Sequence, residues 1–286
     1  MRPAPHELVH RVEAALGVSV EDAAPLSGGQ VGEAWLCRLG DGREAVVKTS
    51  AGTPLDVEAF MLRYLGEHTA LSVPAVLRAE PDLLVLAYVE GTSVVSDAAE
   101  RDAGRHLATL HQRSAERFGF ERDTLIGPFV LDNTWTASWP EFYARRRLLP
   151  MAAIAAERGA LPPEDHRRVE RLAASLPERF DAAPIPSLIH GDVWGGNVLA
   201  QGERIAAFLD PALYFADAEV ELAFIDLFHT FGSAFYEAYE ALRPIDAGYQ
   251  TWRRDLYQVF PLLVHVALFG GGYLGGLRER LRRLNV

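Results

Sequence analysis

His190-Gly191-Asp192-Val193-Trp194-Gly195-Gly196-Asn197, followed by Phe208-Leu209-Asp210, is the stretch on which the reading of this chain turns. An aspartate follows a histidine at the second position, and an asparagine follows that aspartate at the fifth. Apolar runs at 188–189 and 206–209 predict short strands around the loop. The loop then carries Asp192, and a strand–turn–strand separates Asn197 from Asp210. Each residue type suits one task. A carboxylate on a loop can take the proton of an attacking hydroxyl, and Asp192 is placed for that. Mg²⁺ on a nucleotide takes hard oxygen ligands, and Asn197 and Asp210 offer a carbonyl and a carboxylate. Phosphoryl transfer asks for little beyond such positioning and charge neutralisation.

Upstream lie two features of the same kind. The chain has 28 basic residues, of which one, Lys48, is a lysine. On composition alone this fits codon usage as well as a position that demands a compact ammonium. Lys48 ends Glu44-Ala45-Val46-Val47-Lys48-Thr49, close to the Val-Ala-Ile-Lys strand of kinases, and His-x-Asp with Asn five positions later is the spacing of the kinase catalytic loop. Thr53-Pro54 signals a helix start. Glu58 falls on that helix, on the face of Leu55, Met61 and Leu62, as a candidate partner for Lys48. The segment Ser27-Gly28-Gly29-Gln30-Val31-Gly32 lies between strand-like stretches. Its glycines let backbone amides approach a phosphate. It matches neither common phosphate-loop pattern, and taken alone it reads first as a plain hairpin turn.

The rest of the chain supplies the frame. A helix is predicted at 6–16, strands at 33–39, 44–49 and 82–87, and the turn signal Gly40-Asp41-Gly42 separates two of them. After Glu90-Gly91 helices dominate: 96–118, 140–158 with an interruption near Pro150, 163–180, 219–242 and 249–269. The expectation is an α+β protein of two lobes. Residues 1–88 would form a β-rich nucleotide-binding lobe, and residues 89–286 a mainly helical catalytic lobe. With 286 residues, 49% hydrophobic and 23% charged, disorder and coiled coil are out. A net charge of −11 disfavours nucleic acid as a partner. The single cysteine, Cys37, allows no intrachain disulfide. The N-terminal residues carry no apolar signal core, and 262–277 falls short of a span, so a cytoplasmic protein with no membrane partner is expected.

Other conspicuous residues read as structural. His190 is expected to brace the loop, and His111, beside an apolar face, to sit satisfied in the core. Arg145-Arg146-Arg147 reads as a solvated helix face. Trp135 and Trp139 are candidates for the core, and Trp194 for a wall of the acceptor site.

These motifs resemble the fructosamine/ketosamine kinase family, within the small-molecule kinases that include aminoglycoside and choline kinases. The similarity runs through Gly191-Asp192-x-Trp194-x-Gly196-Asn197, Asp210-Pro211-Ala212, Glu219-x-Glu221-Leu222-Ala223, Phe228 with Phe231, Phe235 with Tyr239 and Leu256-Tyr257-Gln258. It continues with His265, Phe269-Gly270 and Tyr273, and upstream with Phe118-Gly119-Phe120, Ile126-Gly127, Asn133, Trp139 and Phe142. The resemblance implies a protein-kinase-like two-lobed fold and ATP-dependent phosphorylation of the 3-hydroxyl of a ketosamine, in deglycation. The acceptor would be a small ketosamine or a glycated amine or protein. Position by position it implies Asp192 as base, Asn197 and Asp210 on Mg²⁺, and Lys48 with Glu58 on the phosphates. Gly28, Gly29 and Val31 would cover the nucleotide, backbone groups of Ala87, Tyr88 and Val89 would take adenine, and Trp194 would contact the sugar. This chain departs at Ala87, where the family usually has an acid, and at Glu221, where it has the shorter aspartate. The cysteine that some members carry in the glycine-rich loop is absent here. The competing readings are an aminoglycoside or other hydroxyl-compound phosphotransferase of the same fold, and a catalytically inactive nucleotide-binding module.

Overall fold

Alternating apolar and polar side chains over the first third of the chain build one antiparallel sheet. The computed structural model describes residues 5–26 and 33–286. Helix α1 (His6–Leu16) leads into β1 (Val20–Pro25), β2 (Glu33–Leu39), β3 (Glu44–Thr49), α2 (Leu55–His68), β4 (Val76–Glu80) and β5 (Leu83–Ala87). The strand order is β1-β2-β3-β5-β4. Because side chains alternate across a strand, the two faces bury different sets. Trp35, Cys37, Leu39, Val47 and Val85 pack with Leu8 and Val12 of α1 on one face. Leu84 and Leu86 pack with Leu55, Ala59 and Leu62 of α2 on the other. Lys48 sits opposite Leu84 in the β3–β5 register, so it faces α2.

The remainder is mainly helical. It comprises α3 (Asp97–His111), a hairpin of β6 (Thr124–Ile126) and β7 (Phe129–Leu131), α4 (Trp139–Tyr143), α5 (Leu149–Glu157) and α6 (Pro163–Arg179). Next come β8 (Ser187–Ile189), β9 (Val198–Gln201), β10 (Arg204–Phe208) and β11 (Tyr214–Ala216). The chain ends with α7 (Glu219–Leu227), α8 (Ser233–Glu240), α9 (Arg254–Phe269) and α10 (Leu274–Arg283). The helical run Tyr249–Arg283 is long and apolar enough to cross a membrane. In the fold, however, Leu256 and most residues through Ala267 are buried, and α9 packs on α5, α7 and α10 at the centre of the helical core.

Several boundaries differ from the sequence reading. The helix expected over 96–118 stops at His111, because the chain beyond it bonds elsewhere: Leu188 N–H donates to Arg113 O, and Phe118 exchanges both bonds with Thr136. The helix expected over 219–242 is broken between α7 and α8 at His229, whose φ of 50° is left-handed. The stretches 188–189 and 206–209 do not pair with each other. β8 pairs with β11, and β10 with β9. The interruption near Pro150 takes the form of a π turn at Ala144–Leu148. Proline cannot donate to the carbonyl four residues back. Here that carbonyl, Arg146 O, accepts from the Arg147 guanidinium instead, at 2.9 Å.

That bond overturns the solvated-face reading of the arginine run. Arg147 is fully buried, stacked 3.9 Å over the Tyr214 ring and bonded to Asn133. Burial lowers its pKa from the ordinary value. Arg146 pairs with Asp132, and only Arg145 is well exposed. The tryptophans divide likewise. Trp139 is a core residue donating to Tyr257 at 2.9 Å, whereas Trp135 is 39% exposed and rests on Phe215.

Candidate active site

Two chain segments are zipped together at the base of the site. Leaving β8, the chain turns at Gly191, whose φ is 88°. A Cβ there would meet Ala212 O at 2.2 Å, so only glycine lets the loop pass. Ala212 N–H donates to His190 O and Leu209 N–H donates to Asn197 O, each at 2.8 Å. The loop 190–197 and the segment 209–212 are therefore one unit, and Asn197 and Asp210 flank the β9–β10 hairpin from opposite ends. Asp210 has φ 51°, a left-handed conformation that is strained for a non-glycine residue.

Asn197 is buried and orients Asp192. Its Nδ2 donates to Asp192 O at 2.9 Å and to Asp192 Oδ2 at 2.8 Å. Its Oδ1 has no partner among the described residues. The Asp192 carboxyl is pushed up to about 8 by burial first and by the charge of Asp210 second, with the Asn197 bond working downward. His190 is fully buried, its ring accepts from Asp192 N–H at 3.3 Å, and burial lowers its pKa.

The opposite wall comes from the sheet. Lys48 Nζ donates to Glu58 Oε1 of α2 at 2.7 Å and also pairs with Asp210. Burial works against the lysine's charge, but Asp210 and Glu58 outweigh it, and the ammonium is held above its ordinary value. Burial would likewise raise Asp210, yet Lys48 brings it below the usual carboxylate range. Glu58 is raised by burial, which the lysine only partly offsets. Half of the Asp210 side chain reaches solvent, against 17% for Lys48 and 15% for Glu58. A Met61 Sδ contact with Leu213 N–H, at 3.4 Å, fixes α2 against the Asp210 segment.

Beneath the loop sits Glu221, a residue whose role the sequence left open. From the first turn of α7 it accepts His190 N–H at 3.2 Å and Gly191 N–H at 2.6 Å, and meets His111 Nε2 at 2.8 Å. His111 is completed by Tyr239 at 2.7 Å, a satisfied core histidine as the sequence suggested. These contacts, with His111 foremost, hold Glu221 below its ordinary pKa despite burial. The sequence signal was the acid in Glu219-x-Glu221, but nothing linear connects it to positions 190 and 191.

Trp194 is part-exposed, and its indole folds onto Gly196: a Cβ at that position would stand 2.3 Å from the ring. Along the connection between the two regions, Ala87 N–H donates to Ala75 O and Tyr88 N–H to Glu44 O. The Val89 amide has no partner among the described residues. Gly28, Gly29 and Val31 lie outside the described residues. A concavity of about 480 Å³ between α2 and α3, lined by Glu67, His68, Leu71, His106 and Arg113, lies apart and gathers none of these side chains.

The arrangement sets one ammonium, Lys48, between two carboxylates, Glu58 and the half-exposed Asp210, beside the loop on which Asn197 orients Asp192 and beneath which Glu221 is buried. Comparison with known proteins identifies the family and the fold. The fructosamine kinase family model matches residues 6–285. A Synechocystis protein assigned as a ketoamine kinase is 39% identical over 183 residues, 63% of this chain and 60% of that protein. The mouse ketosamine-3-kinase is 33% identical over 82% of this chain and 73% of its own length. A crystal structure of a Thermobifida fusca protein assigned as a fructosamine-3-kinase superposes with a TM-score of 0.88 at 33% identity, covering 99% of this chain and 100% of that one. An aminoglycoside phosphotransferase bound to ADP and hygromycin B, 18% identical with a TM-score of 0.69, shares the fold. The two-lobed, kinase-like architecture expected from the motifs is thus the observed one, and the chain belongs to the fructosamine kinase family.

Proposed function

We propose that this protein is an ATP-dependent kinase that phosphorylates the 3-hydroxyl of a ketosamine. The observation that carries the reading is the convergence of Lys48, Glu58 and Asp210 beside Asp192 and Asn197. In this reading Asp192 accepts the hydroxyl proton. Asn197 supports it by fixing one carboxylate oxygen, which leaves the other for the acceptor. Lys48, steadied by Glu58, neutralises phosphate oxygens. Residues 1–88 hold the nucleotide: Gly28, Gly29 and Val31 over the phosphates, and Ala87, Tyr88 and Val89 at adenine. Of these three, the Val89 amide is uncommitted and fits a donor to the base. Residues 89–286 hold the acceptor, with Trp194 against the sugar. The cytoplasm, which supplies ATP, is the location this reading implies.

The donor set fits Mg²⁺. Asp210 Oδ and the unengaged Asn197 Oδ1 are hard oxygens of the kind that Mg²⁺ takes. Among the described residues no three His, Cys, Asp or Glu side chains form a metal cluster by themselves, so phosphate oxygens and water would complete the shell. Bound there, Mg²⁺ would neutralise charge developing on the transferred group. A phosphate at C3 also gives the product a chemical fate. Enolisation of the ketosamine toward C1 expels phosphate, and hydrolysis of the resulting imine frees the amine, which is deglycation.

ADP release with a glycated amine, set beside an aminoglycoside, tests the reading. Turnover with the glycated amine alone supports it. Turnover with the aminoglycoside alone selects the competing acceptor class, and nucleotide binding without turnover selects an inactive module.

A further inference from the structure

The loop between α7 and α8 contains a residue that its backbone does not favour. His229 follows the last turn of α7 with φ 50°, and Thr230 N–H closes back on Ile225 O at 3.0 Å. This is the left-handed helix cap that glycine usually occupies, because a Cβ is penalised there. The loop is firmly held. Thr230 Oγ1 donates to Val193 O at 3.1 Å, inside the catalytic loop and next to Trp194. Gly232 N–H donates to Glu100 at 2.9 Å, and the Phe228 ring packs 4.7 Å from His265. The His229 imidazole itself is exposed and has no partner among the described residues. A left-handed, exposed side chain on a fixed pedestal beside the catalytic loop marks a candidate ligand contact.

We propose that His229 is a specificity-determining residue that binds a carboxylate on the amine side of the acceptor, so that the preferred substrate is a free glycated amino acid rather than a glycated protein side chain. This rests on the ketosamine kinase reading above. The phosphoryl end of the site is crowded with Asp192 and Asp210, so an anionic substituent must point away from them, toward the rim. His229 is exposed one residue from the Thr230–Val193 bond that ties this loop to the catalytic loop, and its ring offers an N–H donor. A ketosamine formed on an α-amine carries its carboxylate close to the sugar. One formed on a lysine side chain within a protein does not.

The test compares two acceptors, a ketosamine built on an α-amino acid and the same ketosamine on its α-carboxamide, in the wild-type protein and in His229→Gly and His229→Gln. The wild type is expected to show a KM about tenfold lower for the carboxylate. His229→Gly should erase that preference with kcat within about twofold and with the carboxamide KM unchanged, while raising Tm through relief of the left-handed strain. His229→Gln, which keeps an N–H donor but not the imidazole ring, should fall between. Equal KM shifts for both acceptors, or no shift for either, overturn the proposal while leaving the kinase reading intact. Wild-type turnover of neither acceptor overturns both.

Discussion

Lys48 on β3 and Asp210 after β10 form an ion pair across 162 positions of sequence. The pair joins the sheet to the loop that bears Asp192, and Glu58 completes it from α2. One contact therefore connects three elements that the chain reaches at widely separated points. It offers a reason for lysine at this position: a compact ammonium fits between two acids where a planar guanidinium would reach too far.

Replacing Lys48 tests that explanation. Lys48→Arg is expected to lower kcat/KM for ATP by about a hundredfold, and Lys48→Ala by more, because in the proposed role the charge set against the phosphates is misplaced or lost. Steady-state kinetics with ATP varied gives the answer. Wild-type values for Lys48→Arg would return the lone lysine to codon usage.

Asp192→Asn removes the proposed base without removing its bond to Asn197. We expect kcat to fall by about 10²–10⁴ with nucleotide affinity within a few-fold. Isothermal titration with a non-hydrolysable nucleotide separates the two effects. The same variant reports on pH. The folded Asp192 carboxyl titrates at about 8 against an ordinary 3.8, so between those values the folded protein keeps a proton that the unfolded chain has released. Stability from this group is full below the lower value and declines as pH rises through the upper, by a few kcal/mol at most. The nucleotide-free Asp192→Asn protein should therefore gain Tm on the wild type between pH 5 and about 9, and a difference flat with pH would refute this.

Glu221 is the anchor of the loop. Glu221→Ala strands two backbone amides and the His111 ring in a buried site, a loss of about 3–5 kcal/mol. Glu221→Gln keeps an acceptor for Gly191 but opposes an amide N–H to a donor, and should lose less. Thermal melts rank the three proteins. An unchanged Tm in Glu221→Ala would mean that the loop is held by its bonds to Leu209 and Ala212 alone.

Gly196 is crowded by the Trp194 ring rather than constrained by its own torsions. Gly196→Ala drives a methyl into the Trp194 indole. If Trp194 contacts the sugar, KM for the acceptor should rise about tenfold with KM for ATP unchanged, and tryptophan fluorescence should shift. A rise in both constants would place the effect on the whole loop instead.

Much of this was legible because kinase-like chemistry needs particular residue types at fixed local spacing. The interval from Asp192 to Asn197 is set by one tight loop, and Asn197 bonds directly to the aspartate it follows. The pairing of Lys48 with Glu58 was readable from a strand and the face of the next helix. Less was readable where the backbone leaves regular structure. The break at His229 lacks the glycine that usually marks it. Arg147 looked solvated within a basic run because neither Tyr214 nor the carbonyl orphaned by Pro150 is visible in its neighbourhood.

By itself, then, the sequence determined the two-part architecture, the identity of the charged groups and the order in which they arrive. Local periodicity and loop spacing act over a few residues and leave their mark in composition. Only the tertiary structure decided that Glu221 carries the loop, that Trp135 is part-exposed while Trp139 is core, and that burial and the neighbouring Asp210 push the Asp192 carboxyl upward. Those outcomes depend on burial and on contacts across many tens of residues, and both arise only when the chain closes on itself.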